Sequence, residues 1–458
     1  MKSPMERPAA NHYLSRAMHT RQVCVMNLRR LSVILAFVPS SLISQELKSA
    51  ADSASAARTA WAAAVKAIRA TDMNAAQREV DRAASAWPTQ PAYHWYRAVI
   101  AAGRRDTAAL HSGLANYASL GLGRALTDTT FDSYRKIPWF RDLAAKHDSF
   151  RQPLARSRTR LELGDSTLWP EGVDYDERHD RFYVTSVRHR TIVEVSRDGK
   201  ERELWKRNTP GIAAVLGVRV DPRRDVIWAS TSAVTQMSGF LPSDSNAASL
   251  LEVRISDGKI LRRFDLSRTS GHVLGDVALG PDGDVFVSDS FDPVLYRLRP
   301  GADSLEAVRS PLFRSLQGIA PSPDGRTLYV ADYSHGLLRV DLATGRATRV
   351  ADAPGSTTVG LDGINWFDGS IIAIQNGVAP PRIVSLRLST DGTRVERAEV
   401  IDQNIDVADE PTVGTIIPGT REFVYVANSQ WEKYNDDGTR KAAVALKRPL
   451  LLAVPLKR

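Results

Sequence analysis

Leu316-Gln317-Gly318-Ile319, followed by Ser322-Pro323-Asp324-Gly325-Arg326-Thr327-Leu328-Tyr329-Val330-Ala331-Asp332, is one full copy of a unit that recurs along the C-terminal two-thirds of the chain. A small or polar residue beside Gly opens a short strand, an Asp-Gly turn reverses it, and a second apolar strand ends on a polar residue. Pro170-Glu171-Gly172-Val173 leads likewise to Arg181-Phe182-Tyr183-Val184, and Leu216-Gly217-Val218 to Val226-Ile227-Trp228. Leu274-Gly275-Asp276-Val277 leads to Val285-Phe286-Val287-Ser288-Asp289, and Asp362-Gly363-Ile364 to Ile371-Ile372-Ala373-Ile374. Pro411-Thr412-Val413 leads to Phe423-Val424-Tyr425-Val426-Ala427-Asn428. Six units of about 40–50 residues built from short strands predict a six-bladed β-propeller. The Asp-Gly pairs Asp198-Gly199, Asp257-Gly258, Asp282-Gly283, Asp391-Gly392 and Asp437-Gly438 supply the positive φ that tight hairpins need.

Outside the repeats the chain changes character. Residues 46–150 read as helices, with Leu47, Ala54, Trp61, Val65 and Ile68 on one helical face. Helices near 75–87, around Trp95–Ile100 and around Leu110–Tyr117 follow, and Phe131 to Leu143 closes the array. Trp61 and Trp95 stand 34 residues apart, so the region resembles tetratricopeptide repeats, which bind peptides or pack on a neighbour. With about two repeats, a helical cap on the propeller is the favoured reading, and a docking surface for a protein partner the other. Residues 151–168, β-prone at Leu161-Glu162-Leu163, read as a linker and the strand that closes the ring. The propeller then occupies 169–458, so the chain is mainly β with an N-terminal α-helical domain.

Residues 1–45 read as a leader. Met26-Asn27-Leu28-Arg29-Arg30, the apolar run 31–38 and the small residues after it have the parts of a signal peptide, with Met26 as the expected true start. A periplasmic or secreted protein with no transmembrane segment in its mature chain is expected. The single cysteine, Cys24, precedes that signal, so thiol catalysis and cysteine metal sites are excluded from the mature protein. The formal charge is +9, of which residues 1–44 hold +5. That leaves a modest excess, and no nucleic-acid partner is expected.

Strand alternation locates the candidate site. The start of each innermost strand and the loop after the second strand lie on one face of the disc. The starts carry Glu171, Gly275-Asp276, Gln317, Asp362 and Glu410, ringed about one axis. Carboxylates around a narrow dry opening repel each other, and a divalent cation relieves this. Oxygen ligands suit calcium, magnesium or manganese, with zinc possible. The polar ends Asp289, Asp332 and Asn428 recur at equivalent positions and read as turn caps.

These residues resemble the SMP-30/gluconolactonase family and, more remotely, the paraoxonases. The resemblance spans about 169–458 and rests on Pro170-Glu171-Gly172, Leu274-Gly275-Asp276, the stretch quoted at the outset, and Leu361-Asp362-Gly363-Ile364. It implies a six-bladed propeller that hydrolyses lactones or related esters with one divalent metal, calcium first. It implies Glu171 and Asp362 as metal ligands, with Gln317 in the place of the family's Asn. Gly275 stands where the family has a second Asn. Asp276 or Asp362 would then take a proton from water. Arg188 and His189, on a loop of the first blade, are candidates to bind an acidic substrate, and His335 and Asn376 are further substrate-binding candidates. The long segment from Thr231 to Ala248 is a candidate lid. No serine nucleophile elbow, His-Glu-x-x-His or phosphate loop occurs. Two functions remain open: an exported metal-dependent hydrolase, and a non-catalytic propeller that binds a small ligand or a protein.

Overall fold

The computed structural model describes residues 43–457, with side chains from residue 53 onward. Cys24, Met26 and the apolar run 31–38, and with them the expected signal peptide, lie outside the described residues. Among the described residues no helix is long and apolar enough to cross a membrane.

Six four-stranded antiparallel sheets form the propeller. Their innermost strands are Val173–Asp176, Ala214–Asp221, Leu274–Leu279, Leu316–Pro321, Ile364–Phe367 and Gly414–Ile417, for blades 1 to 6 in chain order. The ring closes in blade 6, where Arg158–Glu162 pairs antiparallel with Leu450–Pro455. The first and last strands of the propeller thus share one sheet, with Arg158–Glu162 as its outer strand.

The second strands explain the apolar runs in the sequence. Val226–Ser232, Thr327–Asp332 and Ser370–Gln375 are buried at every position, because each is sandwiched between two neighbouring blades. The fourth strands, such as Glu201–Glu203 and Ala347–Arg349, are only half-covered. The core is accordingly a set of seams between blades. Ile319 and Leu328 of blade 4 meet Phe286 of blade 3, and Ala331 of blade 4 meets Ile371 and Val384 of blade 5. The polar strand ends cap loops. Asp332 Oδ2 accepts from the Arg314 and Ser315 N–H groups, and its Oδ1 from those of Ser334 and His335.

The helices α1 (Ile43–Arg69), α2 (Met73–Ala86), α3 (Pro91–Gly103), α4 (Thr107–Ser119) and α5 (Pro138–Ser149) form the N-terminal region. Asp72 and Asp106 cap α2 and α4 by accepting the Ala75 and Ala109 N–H groups. Pro91 begins α3, where its missing N–H costs nothing. This helical region lies on blades 4 and 5. Arg349 of blade 4 stacks 4.6 Å from the Trp87 ring and donates to Thr89. Arg382 of blade 5 donates to the Gly121 carbonyl at 2.8 Å. Val359 joins the α1–α3 core, and Val378 packs on Tyr117, Leu120 and Leu122.

Candidate active site under the helical cap

A cavity of about 890 Å³ lies between the helical region and the propeller mouth. Its floor is made by the starts of innermost strands: Glu171, Leu216-Gly217, Gly275-Asp276, Gln317 and Asp362 all line it. The glycines next to these positions let the strands converge. Gly318 N–H donates to the Asp362 carbonyl at 3.1 Å, and a Cβ on Gly318 would stand 2.5 Å from that oxygen. The pattern of a polar residue beside Gly therefore records the closeness of blades at the axis.

Each floor carboxylate has its own setting. Glu171 still touches the cavity, but protein surrounds it, and its Oε2 accepts the Trp431 indole N–H at 2.6 Å. Burial first and the Asp362 charge second push its carboxyl well above the usual range. Asp362 is 9 % exposed, and its Oδ2 accepts from Asn376 Nδ2 at 2.6 Å. Burial raises it to about 7, against the stabilising Asn376 bond and with the Asp276 charge adding to the rise. Glu410, at the head of blade 6, is raised to about 8 by burial and by the Glu432 charge. The charges that act on these three groups are those of other carboxylates.

Asp276 differs. Its Oδ1 accepts from the Val277 N–H and its Oδ2 from the Ile319 N–H, so it ties blade 3 to blade 4. Arg219 lies next to it, deeper on the axis, and donates to Asp174 and to the Val277 carbonyl. Gln317 lines the cavity and gives its amide N–H to Ser315 Oγ at 3.2 Å, leaving the amide oxygen for another partner. Asn376 donates to both Asp362 and the Pro411 carbonyl, while its buried Oδ1 has no partner.

Among the described residues no group of three or more His, Cys, Asp and Glu side chains stands ready for a metal ion. The donors present are two carboxylates, Glu171 and Asp362, and the Gln317 amide oxygen. They fit a hard divalent cation in an open site completed by water or substrate. The burial and mutual repulsion of the two carboxyl groups, which a cation would relieve, is the feature that fits it.

His335 lines the cavity but is committed within the protein. Its Nδ1–H donates to the Leu312 carbonyl at 2.6 Å, and its Nε2 accepts from Arg58 of α1 at 2.9 Å. Burial lowers its pKa to about 4, so the ring is neutral. Arg188 and His189 are not among the lining residues. Arg188 reaches instead to the Gln236 and Gly438 carbonyls, holding the blade 2 insertion against the segment after blade 6's second strand. His189 sits with Thr167, Asp165 and Arg207. Of the insertion from Thr231 to Ala248, Val234 reaches the cavity.

Sequence patterning did not single out Tyr333 or Trp431, and it gave the helical cap without the place on the propeller where it sits. Tyr333 follows a second strand, and burial, then the Asp362 and Glu410 charges, raise its hydroxyl far above its ordinary value. The hydroxyl therefore stays protonated, and Tyr333 lines the cavity. Trp431 lies in an insertion without repeat register. One further cluster resembles a hydrolytic relay: Ser270 Oγ is 3.2 Å from His272 Nε2, and His272 Nδ1 is 2.6 Å from Asp289 Oδ2. Asp289 Oδ1, however, accepts three backbone N–H groups, from Val273, Phe291 and Asp292, and neither Ser270 nor His272 lines the cavity. This cluster fastens the loop that leads into blade 3.

Comparison with known proteins places the chain. No curated protein sequence matches it. Solved structures show similarity to it at low identity. One is a luciferin-regenerating enzyme, 14% identical, covering 67% of this chain and 96% of that one with a TM-score of 0.45. Another is a calcium-binding protein, regucalcin, from Agrobacterium tumefaciens, 17% identical over 65% and 93% with a TM-score of 0.44. A third is a putative gluconolactonase, 16% identical over 68% and 98% with a TM-score of 0.43. The profile of the SMP-30/Gluconolactonase/LRE-like region matches residues 169–400, just over half of the chain. With six blades and that match over most of them, this chain belongs to the SMP-30/gluconolactonase/LRE-like family.

Proposed function

We propose that the protein is an exported hydrolase that opens lactones or related esters at the propeller axis with a divalent cation held by Glu171, Asp362 and the amide oxygen of Gln317. Calcium suits this all-oxygen set first, with zinc, manganese or magnesium as substitutes. The observation that carries the reading is the pair of buried carboxylates, Glu171 and Asp362, facing one cavity, where the charge that acts on each is that of another carboxylate. A bound cation would supply Lewis acidity toward the scissile carbonyl and the attacking water.

The chain's own groups divide the remaining work. Asp362, whose Oδ2 is held by Asn376, is suited to accept the water proton as the water oxygen bonds the carbonyl carbon. The ester C–O bond then breaks, and the proton held on Asp362 returns to the departing alkoxide. Asn376 fixes Asp362 through its N–H, and Trp431 fixes Glu171. Asp276, with both oxygens already accepting backbone N–H groups, serves as a wall and not as the base.

Metal analysis of the purified protein is the first test. One divalent ion per chain, lost in Glu171→Gln together with lactone hydrolysis, supports the reading. A metal-free protein that hydrolyses no lactone or ester in a broad panel would overturn it. Gly275, which offers no side chain to the cavity, favours a second reading, a non-catalytic propeller that binds a small ligand. The inner side of the helical region already roofs the cavity, so a protein partner would dock on its outer side. Export is tested by the N-terminal sequence of the mature protein and its cell fraction.

A further inference from the structure

The helical region contributes a wall that the propeller lacks. Trp61 of α1, Trp87, Tyr93, Trp95 and Tyr96 around α3, and Tyr117 of α4 all line the cavity opposite the carboxylate floor. Their rings are braced against one another. Trp61 lies 5.5 Å from Tyr93 and 4.9 Å from Tyr96, and Trp95 is edge-on to Tyr117 at 5.9 Å. Packed rings lose little freedom when a ligand arrives, so such a wall is ready-made for a flat apolar group. At about 890 Å³ the cavity is near the upper end of the roughly 300–1,000 Å³ that small-molecule sites span. Phe291, on the blade 3 side, lines the cavity and is 59 % exposed, which places it at the opening.

The charges around the rings narrow the ligand further. An organic cation would be disfavoured beside this wall, where the Arg124 guanidinium already sits 4.8 Å over Trp95. Arg58 and Arg314 also line the cavity on the blade 4 side. A free carboxylate, in turn, would be repelled at the floor by Glu171 and Asp362. A neutral ligand with an apolar ring body and one polar end satisfies both poles.

We propose that the helical cap is the specificity-determining wall of this protein, and that it selects neutral esters or lactones bearing an aromatic or comparably bulky apolar group. The ring body stacks under Trp61, Tyr93 and Tyr96, and the ester carbonyl is thereby directed down to Glu171, Gln317 and Asp362. This rests on the hydrolase reading for the chemistry, but not for the binding.

Binding and turnover are therefore measured separately on the full chain. N-(1-naphthyl)acetamide, an amide that resists cleavage, is titrated by calorimetry and by quenching of tryptophan emission. Hydrolysis is compared for 1-naphthyl acetate and ethyl acetate. The expected result is saturable naphthyl binding that weakens about tenfold in Trp61→Leu and in Tyr96→Leu. The preference for the naphthyl over the ethyl ester should fall by a similar factor. Tyr96→Phe, which keeps the ring, should retain both; this controls for a wall variant that folds poorly. Naphthyl binding that depends on these rings, without hydrolysis of either ester, would uphold the wall and defeat the hydrolase reading. Hydrolysis with no naphthyl preference, or naphthyl binding indifferent to both leucine variants, would overturn the wall.

Discussion

Asp362 is the residue on which the proposed chemistry turns. Burial holds its carboxyl at about 7, and the Asn376 N–H is the contact that keeps it from rising further. Asp362→Asn removes the proton acceptor and leaves the shape, so hydrolysis should fall by about 10²–10⁴-fold with little change in melting temperature. Asn376→Ala removes a hydrogen bond to the charged form. In metal-free protein the Asp362 pKa must then rise, and the titration of its carboxyl followed by NMR should move to higher pH. A titration that stays in place, or moves to lower pH, would show that Asn376 does not hold the charged form of Asp362. Asp276 was legible in the sequence as a carboxylate at the mouth, but its role was not. Only the partners of its two oxygens, the Val277 and Ile319 N–H groups, separate a wall from a base. Arg188 and His189 sit on the expected loop and yet do not line the cavity, because a loop's position does not fix where a long side chain finds its partners.

At the level of elements, the innermost strands set the geometry of the floor. Gly318 makes this explicit: a Cβ there would meet the Asp362 carbonyl and the Ile364 N atom, each at 2.5 Å. Gly318→Ala must push blade 4 away from blade 5, at a cost of about 1–3 kcal/mol. It should also displace Asp362, so activity should drop by more than the loss of folded protein accounts for. Calorimetric melting together with kcat measured well below the transition checks both. Normal kcat in a merely destabilised Gly318→Ala protein would remove the coupling between blade spacing and site. The blades themselves were readable in sequence because a repeated unit carries its own register, and the strand that starts each unit starts at the axis. The docking of the helical region had no such signal. It depends on Arg58 meeting His335, 277 residues away, and on Thr89 meeting Arg349, 260 residues away. Nothing local in either partner announces the other. Trp61 and Trp95 were visible as a period; their rings as a roof over the mouth were not.

For the whole molecule, burying Glu171, Asp362 and Glu410 near one another has a thermodynamic consequence. Ordinary values of 3.8 for Asp and 4.5 for Glu give way to about 7 for Asp362 and about 8 for Glu410, with Glu171 raised as well. Above pH 5 the unfolded chain has released these protons while the folded protein still holds them. The folded state binds more protons, so its stability falls as pH rises through about 7 and 8. Buried histidines act in the opposite direction. His94, His147 and His335 are lowered from 6.5 by burial, so they favour folding as pH rises toward 6.5 and contribute nothing to the slope well above it. The clean window is therefore from about pH 7 to 8.5. In metal-free protein the melting temperature should decline across it, and the decline should be smaller in Asp362→Asn. A divalent cation competes with those protons for the same oxygens. Calcium at 100 times its dissociation constant would add about 2.7 kcal/mol to stability. That gain should be large at pH 8.5, where the carboxylates are ionised, and small at pH 5, where protons already neutralise them. A melting temperature that rises through this window without added metal, or a calcium effect equal at both pH values, would show that the mouth carboxylates are not the cation's ligands.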